Sequence, residues 1–247
     1  MIYKYQIKIE YDGSKFVGWQ YQKNGISIQG ILQKVFFQFL KYKIIVNGSG
    51  RTDAGVHAVE QSAHIELKKE IENKQIFLNS INFYLKRHPI VITSIKKRNK
   101  NFHARFSAIK RIYKYLIINR NSPLVFNKNR AWHVRKELDI KTMKKGAKIL
   151  KGTHDFSTFR ASSCVAKTPI KTLEKVSIKK SKEKIVLTFI SKSFLQNQVR
   201  SMVGCLKYLG ENKWSINDLK SAMKSKKRSN CAPPAPPFGL YLQKIQY

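Results

Sequence analysis

Tyr3, Tyr5, Ile7, Ile9 and Tyr11 alternate with Lys4, Gln6, Lys8 and Glu10. This is the two-residue period of a strand buried on one face, and Asp12-Gly13 then turns the chain. From Ser27, a suitable N-cap, the apolar residues Ile28, Ile31, Leu32, Val35, Phe36, Phe39 and Leu40 recur at steps of three and four. That stripe predicts an amphipathic helix lying over the sheet. Short apolar runs at 44–46 and 63–67 flank a glycine-rich stretch. A weaker helical period covers 71–85, and Pro89 opens a further strand through Ile95.

The second half repeats the scheme with different residues. A strand is predicted at about 111–118, then a helix from Asp139 through Ile140, Met143, Ala147 and Leu150 to Gly152. Strands at about 173–179 and 184–191 precede a helix carrying Leu195, Val199, Met202, Val203, Leu206 and Leu209 that stops at Gly210. Ser215 and Asp218 have capping-box spacing ahead of Leu219, Ala222 and Met223. Ala232-Pro233-Pro234-Ala235-Pro236-Pro237 can be neither helix nor central strand, and reads as a stiff connector delivering a last strand at Gly239-Leu240-Tyr241-Leu242. A few helices among hairpin-compatible strands give an α+β fold of two similar halves, 1–108 and 109–247, each a mainly antiparallel sheet covered by helices.

Charge changes this picture most. The 247 residues carry 49 Lys and Arg against 14 Asp and Glu, a formal net charge of +35. Such a surface repels itself unless a polyanion screens it, and basic residues interleaved with aromatic ones point to nucleic acid. Part of the Lys excess is also what a Lys-, Ile- and Asn-biased proteome would leave by drift. No apolar run approaches the roughly 18 residues of a membrane span, and the amino terminus lacks a signal-peptide core, so a soluble cytoplasmic protein is expected. Cys164, Cys205 and Cys231 are odd in number and far apart in sequence. They read as three free thiols, with no zinc site.

In so basic a chain, the run Gly48-Ser49-Gly50-Arg51-Thr52-Asp53-Ala54-Gly55-Val56-His57-Ala58 is the place where an acid needs explaining. Asp53 in a glycine-rich turn could cap that turn, ligate a metal, or act as a general base or nucleophile. No second carboxylate lies within the loop to share a hard cation, and the Gly-Lys-Ser/Thr ending of a phosphate loop is missing. Capping, base and nucleophile stay open. Arg51 precedes Asp53 by two residues, so in an extended backbone the two side chains share a face, where Arg51 would keep the acid ionised.

Four further stretches widen the comparison: Tyr11-Asp12-Gly13-Ser14 with Gly18-Trp19-Gln20; Phe102-His103-Ala104-Arg105-Phe106-Ser107-Ala108 running into Tyr113-Lys114-Tyr115; Gly152-Thr153-His154-Asp155-Phe156 with Phe159-Arg160; and Ala235-Pro236-Pro237 with Gly239-Leu240-Tyr241-Leu242. With the Asp53 loop they resemble, in order from end to end, the tRNA pseudouridine synthase A family. The resemblance implies a pseudouridine synthase fold with a basic cleft between its halves. It implies isomerisation of uridine to pseudouridine at positions 38 to 40 of the tRNA anticodon stem-loop, with no cofactor. Asp53 would be the nucleophile, and Arg51 its partner and a probe that takes the flipped base's place. Tyr113 would stack on the uracil and Leu240 would close the pocket. Arg105 and Arg160 would contact RNA, with a buried ion pair as the alternative for each. Arg200 would orient the site, although Asn197-Gln198 stands where many relatives carry His-Met, so an imidazole role is not expected here. The family's homodimeric state implies a homodimer. The rival readings are a non-catalytic RNA-binding or RNA-folding protein and, more remotely, a phosphate-loop nucleotide enzyme. His57 and His103 suit either RNA contact or structural hydrogen bonding, and Trp19, Trp132 and Trp214 read as core or interface residues.

Overall fold

The computed structural model describes residues 1–247, which form two compact units: residues 1–109 with 242–247, and residues 110–241. In the first unit, β1 (Tyr3–Tyr11) buries Tyr5, Ile7, Ile9 and Tyr11, the apolar half of its alternation. Helix α1 (Ile28–Leu40) is capped by Ser27, whose Oγ accepts the Gly30 N–H at 3.2 Å, and it buries Ile28, Leu32, Val35 and Phe36. The short strand β2 (Asn47–Gly48) pairs with β3 (His57–Leu67). Helix α2 (Lys74–Leu85) then leads to β4 (Ile90–Arg98). β1 pairs antiparallel with both β3 and β4, in a register that places Tyr5 opposite Ile65 and Ile7 opposite Ala63.

In this unit one apolar run forms no regular element and one helix starts later than its period, each for a local reason. The run 44–46 is buried at Ile44 and Val46 but forms no strand. Side chains of α1 take its backbone bonds instead: Gln33 Oε1 accepts the Val46 N–H at 3.3 Å, and Gln29 Nε2 donates to Val46 O at 2.9 Å. Helix α2 starts at Lys74 because Asn73 Oδ1 caps the N–H groups of Gln75 and Ile76, each at 3.0 Å. Ile71 stays outside the helix, its N–H donating to the buried Tyr5 hydroxyl at 2.9 Å.

The second unit comprises β5 (Lys110–Asn119), β6 (Trp132–Val134), α3 (Ile140–Leu150), β7 (Gly152–Asp155), β8 (Ile170–Ser181), β9 (Lys184–Ser191), α4 (Gln198–Gly210) and α5 (Ile216–Ser225). Its sheet runs β5-β9-β8-β7 through antiparallel pairings, while β6 pairs in parallel with β5. Helix α3 is capped by Asp139 and turns Met143, Ala147 and Leu150 inward against β8 and α4. Helix α4 begins three residues later than the apolar stripe suggests, because Asn197 at φ 63° is left-handed and cannot continue a helix backwards to Leu195. The capping box of Ser215 and Asp218 forms at the start of α5. The last strand, β10 (Leu240–Gln246), belongs from residue 242 onward to the first unit, where it lies beside β3. The architecture is the α+β arrangement with mostly antiparallel sheet that the sequence predicts. No helix is long and apolar enough to cross a membrane.

Candidate active site

The Asp53 loop connects β2 to β3, and the segment after β1 is built against it. Ser49 is buried, its N–H donating to Ser62 O at 2.8 Å, and Gln61 Nε2 donates to Gly50 O at 2.9 Å. Thr52 is buried and fixed twice: its carbonyl accepts the Trp19 N–H at 3.0 Å, and its hydroxyl shares a 2.8 Å bond with Tyr11 Oη. Beyond Asp53, the Val56 N–H returns to Asp53 O at 3.2 Å, and the Gly55 N–H donates to Phe16 O at 3.3 Å. Two glycines permit this close packing. Gly18, at φ +110°, would put a Cβ 2.6 Å from Thr52 O, and a Cβ on Gly13 would lie 2.0 Å from Val56 O. Asp53 is thus held by bonded neighbours on both sides, and its own side chain is half-buried.

The two other singled-out residues of this unit are more open. Arg51 is exposed, and the guanidinium does not bridge to Asp53 as the two-residue spacing allows. Arg105 is also exposed and lies over the Phe106 ring, 5.6 Å from its centroid, which rules out a buried ion pair there. His57 is buried with a structural task. Its Nδ1 lies 3.0 Å from the Gly13 amide and 3.1 Å from Asp12 Oδ1, so it accepts from one or donates to the other according to tautomer. His103 Nδ1 accepts the Arg105 N–H at 3.1 Å and so caps the turn after it.

In the second unit, Tyr113 on β5 is 7% exposed and meets Phe194 edge-on, with centroids 5.2 Å apart and planes at 86°. Leu240 is 5% exposed at the start of β10. It follows the turn Pro237–Gly239, which closes against Tyr115, whose hydroxyl donates to Pro236 O at 2.8 Å. Burial pushes the Tyr115 phenol well above its ordinary pKa, with Arg200 pulling the other way, so it remains a donor. Arg200 grips the same proline-rich segment. Its Nε donates to Ala235 O at 2.8 Å, its carbonyl accepts the Ala235 N–H at 3.0 Å, and its Nη1 donates to Asn197 Oδ1 at 3.2 Å. Asn197, the left-handed residue before α4, makes no side-chain cap bond to the helix; its Oδ1 serves Arg200 instead. Arg160 ends a 3-10 turn (Ser157–Phe159) with its side chain partly exposed and without an ion pair.

Sequence reasoning missed two residues around this constellation. Phe194 is the ring against Tyr113, and it carries no signal beyond being aromatic. Arg111, two residues before Tyr113, is buried and donates to Lys192 O, which ties β5 to the end of β9. A charged residue at a strand's inner register was the available clue. No three His, Cys, Asp or Glu side chains gather as a protein-held metal would require.

The sequence matches known proteins over its whole length. A family model described as tRNA pseudouridine synthase matches residues 7–107 and 147–247, which takes in the Asp53 loop, α4 and the proline-rich segment. The chain is 56% identical over 246 residues to a tRNA pseudouridine synthase A of Pelagibacter ubique (strain HTCC1062), covering 100% of both chains. It is 45% identical over 245 residues to the protein of that name from Ehrlichia ruminantium (strain Welgevonden), covering 99% of each. The corresponding figures for the protein of that name from Afipia carboxidovorans (strain ATCC 49405 / DSM 1227 / KCTC 32145 / OM5) are 43% over 244 residues and 99% of each. With both halves matched by the family model and whole-length relatives at these identities, the chain belongs to the tRNA pseudouridine synthase family.

Proposed function

We propose that the protein isomerises uridine to pseudouridine at positions 38 to 40 of the tRNA anticodon stem-loop, with Asp53 as nucleophile. The observation that carries this reading is the immobilised Asp53 loop: a half-buried carboxylate whose neighbours on both sides are hydrogen-bonded to buried backbone. Loops that merely turn do not need that much fixing, whereas a nucleophile must hold its position to within a fraction of an ångström. The reaction breaks the bond from C1′ to N1, turns the uracil and rejoins it through C5. Atoms and electrons balance within the nucleotide, so the step consumes no oxidant, reductant or second substrate. The carboxylate attacks either the uracil ring or C1′.

The remaining residues take roles that suit their chemistry. Tyr113, buried on one side by Phe194, offers a ring on which the detached uracil stacks, and Leu240 supplies an apolar wall against water. Arg51, exposed, fills the place that the flipped base leaves. Arg200, fixed by Ala235 and Asn197, positions charge at the site. Arg105 and Arg160 contact the phosphate backbone, and the basic surface as a whole offsets the few kcal/mol needed to unstack the target base. The protein acts in the cytoplasm as a homodimer, which light scattering at micromolar concentration tests directly.

The deciding experiment incubates the purified protein with unmodified tRNA transcript and maps pseudouridine by carbodiimide chemistry at single-nucleotide resolution. Signal at 38 to 40 that disappears in Asp53→Asn, with tRNA affinity kept, supports the assignment. Residual turnover above about one hundredth of wild type removes the nucleophilic role from Asp53. Tight tRNA binding with no new nucleoside in the wild type identifies a non-catalytic RNA binder instead.

A further inference from the structure

Cys205 and Cys231 are 26 residues apart in sequence, yet their sulfur atoms lie 3.5 Å apart within the second unit. Cys205 is fully buried on α4, whereas Cys231 is only partly buried, at the end of a 3-10 turn (Arg228–Asn230) and immediately before the proline-rich segment. Two buried donors around them lack a hydrogen-bond acceptor: Ser201 Oγ, one turn before Cys205 on α4, and Arg228 Nη1. Both favour the charged form of the Cys231 sulfur, which an arginine and a hydroxyl donor beside it would stabilise. We propose that Cys231 and Cys205 form a peroxide-sensitive dithiol in which Cys231 is oxidised first and Cys205 resolves it to a disulfide.

The asymmetry between the two sulfurs sets the order. The Cys205 thiol donating to Cys231, with the Arg228 charge beside it, holds Cys231 below the ordinary thiol range, while Cys205 is pushed up by that same bond and by burial. A thiolate that is partly accessible, next to an arginine, is the form that reacts with peroxide. The Cys231 thiolate attacks one peroxide oxygen, the O–O bond breaks, and hydroxide leaves, giving a sulfenic acid. Cys205 sulfur then attacks the Cys231 sulfur. The departing hydroxyl takes the Cys205 proton and leaves as water, and the first hydroxide recovers the proton that Cys231 had lost. Two thiols are oxidised by two electrons and one hydrogen peroxide becomes two waters.

Closing 3.5 Å to the length of an S–S bond takes a shift of about 1.5 Å, which the partly exposed Cys231 side can supply more readily than the buried α4 side. The disulfide would tie α4 to the start of the segment whose Ala235 holds Arg200, and so fix that segment at both ends.

The test uses the full-length protein carrying Cys164→Ser, so that only the pair remains. Stoichiometric hydrogen peroxide at neutral pH should remove two hydrogen atoms from the intact mass, yield a 205–231 cross-linked peptide, and raise Tm by several degrees, reversibly with a thiol reductant. In Cys205→Ser, dimedone should trap a sulfenic acid at Cys231. In Cys231→Ser, Cys205 should stay reduced under the same exposure. Arg228→Gln should slow wild-type disulfide formation about tenfold without preventing it. The proposal is overturned if no 205–231 peptide forms, if dimedone labels Cys205 in Cys231→Ser as fast as it labels Cys231 in Cys205→Ser, or if Arg228→Gln leaves the rate unchanged.

Discussion

Gly18 packs directly on the carbonyl of Thr52, the residue before Asp53, with φ at +110° and room for no Cβ: one built there lies 2.6 Å from Thr52 O. The neighbouring Trp19 N–H bonds to that same oxygen at 3.0 Å. A methyl group at 18 must therefore displace the Asp53 loop or break this bond. Gly18→Ala is expected to lower kcat by about 100-fold, since a displacement of roughly 1 Å is enough for that, while tRNA affinity changes by less than about threefold. Single-turnover kinetics beside filter binding separates the two, and near-UV circular dichroism confirms that the variant is folded. Equal losses in rate and affinity would mean that the loop serves binding and not chemistry.

The basic residues differ in whether an acid neutralises them and in how far they reach solvent. Lys97 is bridged to Glu70, and Lys110 to Glu174 at 2.6 Å, whereas Arg160 has no ion pair and Arg105 is exposed. Replacing either arginine by Gln should lower the slope of log affinity against log salt by about 0.7 to 0.9, the value of one phosphate contact. Lys97→Gln should leave that slope unchanged. Titration of labelled tRNA across a range of KCl concentrations reads all three, and an unaltered slope for Arg160→Gln would remove it from the RNA-binding surface.

What the sequence made legible follows from which interactions are local. β1 and α1 are written as periods of two and between three and four, and Ser27, Asp139 and Ser215 announce their helices because a cap is a bond between near neighbours. Asp53 and its flanking glycines were legible for the same reason. The run 44–46 was not, because its bonding partners, Gln29 and Gln33, come from α1, and nothing within the run records them. β6 was missed because three residues paired in parallel carry no period. The contact between Cys205 and Cys231 and the hold of Arg200 on Ala235 depend on how α4 meets the proline-rich segment, a tertiary fact with no local signature.

Asn197-Gln198 opens α4 in an unusual way, and the second residue carries opposing terms. Gln198 is fully buried; its Oε1 accepts the Leu195 N–H at 2.8 Å, but its Nε2 has no partner. Replacing it by Met leaves the buried Leu195 N–H without its acceptor, at about 1 to 3 kcal/mol, and also removes an unsatisfied buried donor costing about 1 to 3 kcal/mol, with little change of volume. The two effects offset, so Gln198→Met should change stability by less than about 1 kcal/mol. Gln198→Ala loses the same bond and adds a cavity, and should cost about 2 kcal/mol or more. Urea denaturation of the two variants side by side distinguishes them; equal losses would show that Nε2 is satisfied in solution.

His64 makes the fold sensitive to acid. Its ring is buried, Nδ1 accepts the Ala104 N–H at 3.2 Å, and the His103 ring lies 4.6 Å away, with Lys4 and Glu66 as the other charges facing it. Burial first, then His103 and Lys4, lower its pKa from 6.5 to about 4, and Glu66 only partly counters them. The unfolded chain therefore binds a proton at this position near pH 6.5, whereas the folded chain resists it until about pH 4. Stability falls as pH drops through that window, by about 2 to 3 kcal/mol at pH 4.5 relative to pH 7 from this group alone. Protonation would also remove the acceptor that Ala104 uses. Carboxylates titrate in the same range, so the informative quantity is a difference between proteins. His64→Asn, which keeps an acceptor near the Nδ1 position without titrating, should lose less stability between pH 7 and 4.5 than wild type by about that amount. Chemical denaturation at the two pH values measures it, and parallel pH dependence in the two proteins would show that His64 is not the group responsible.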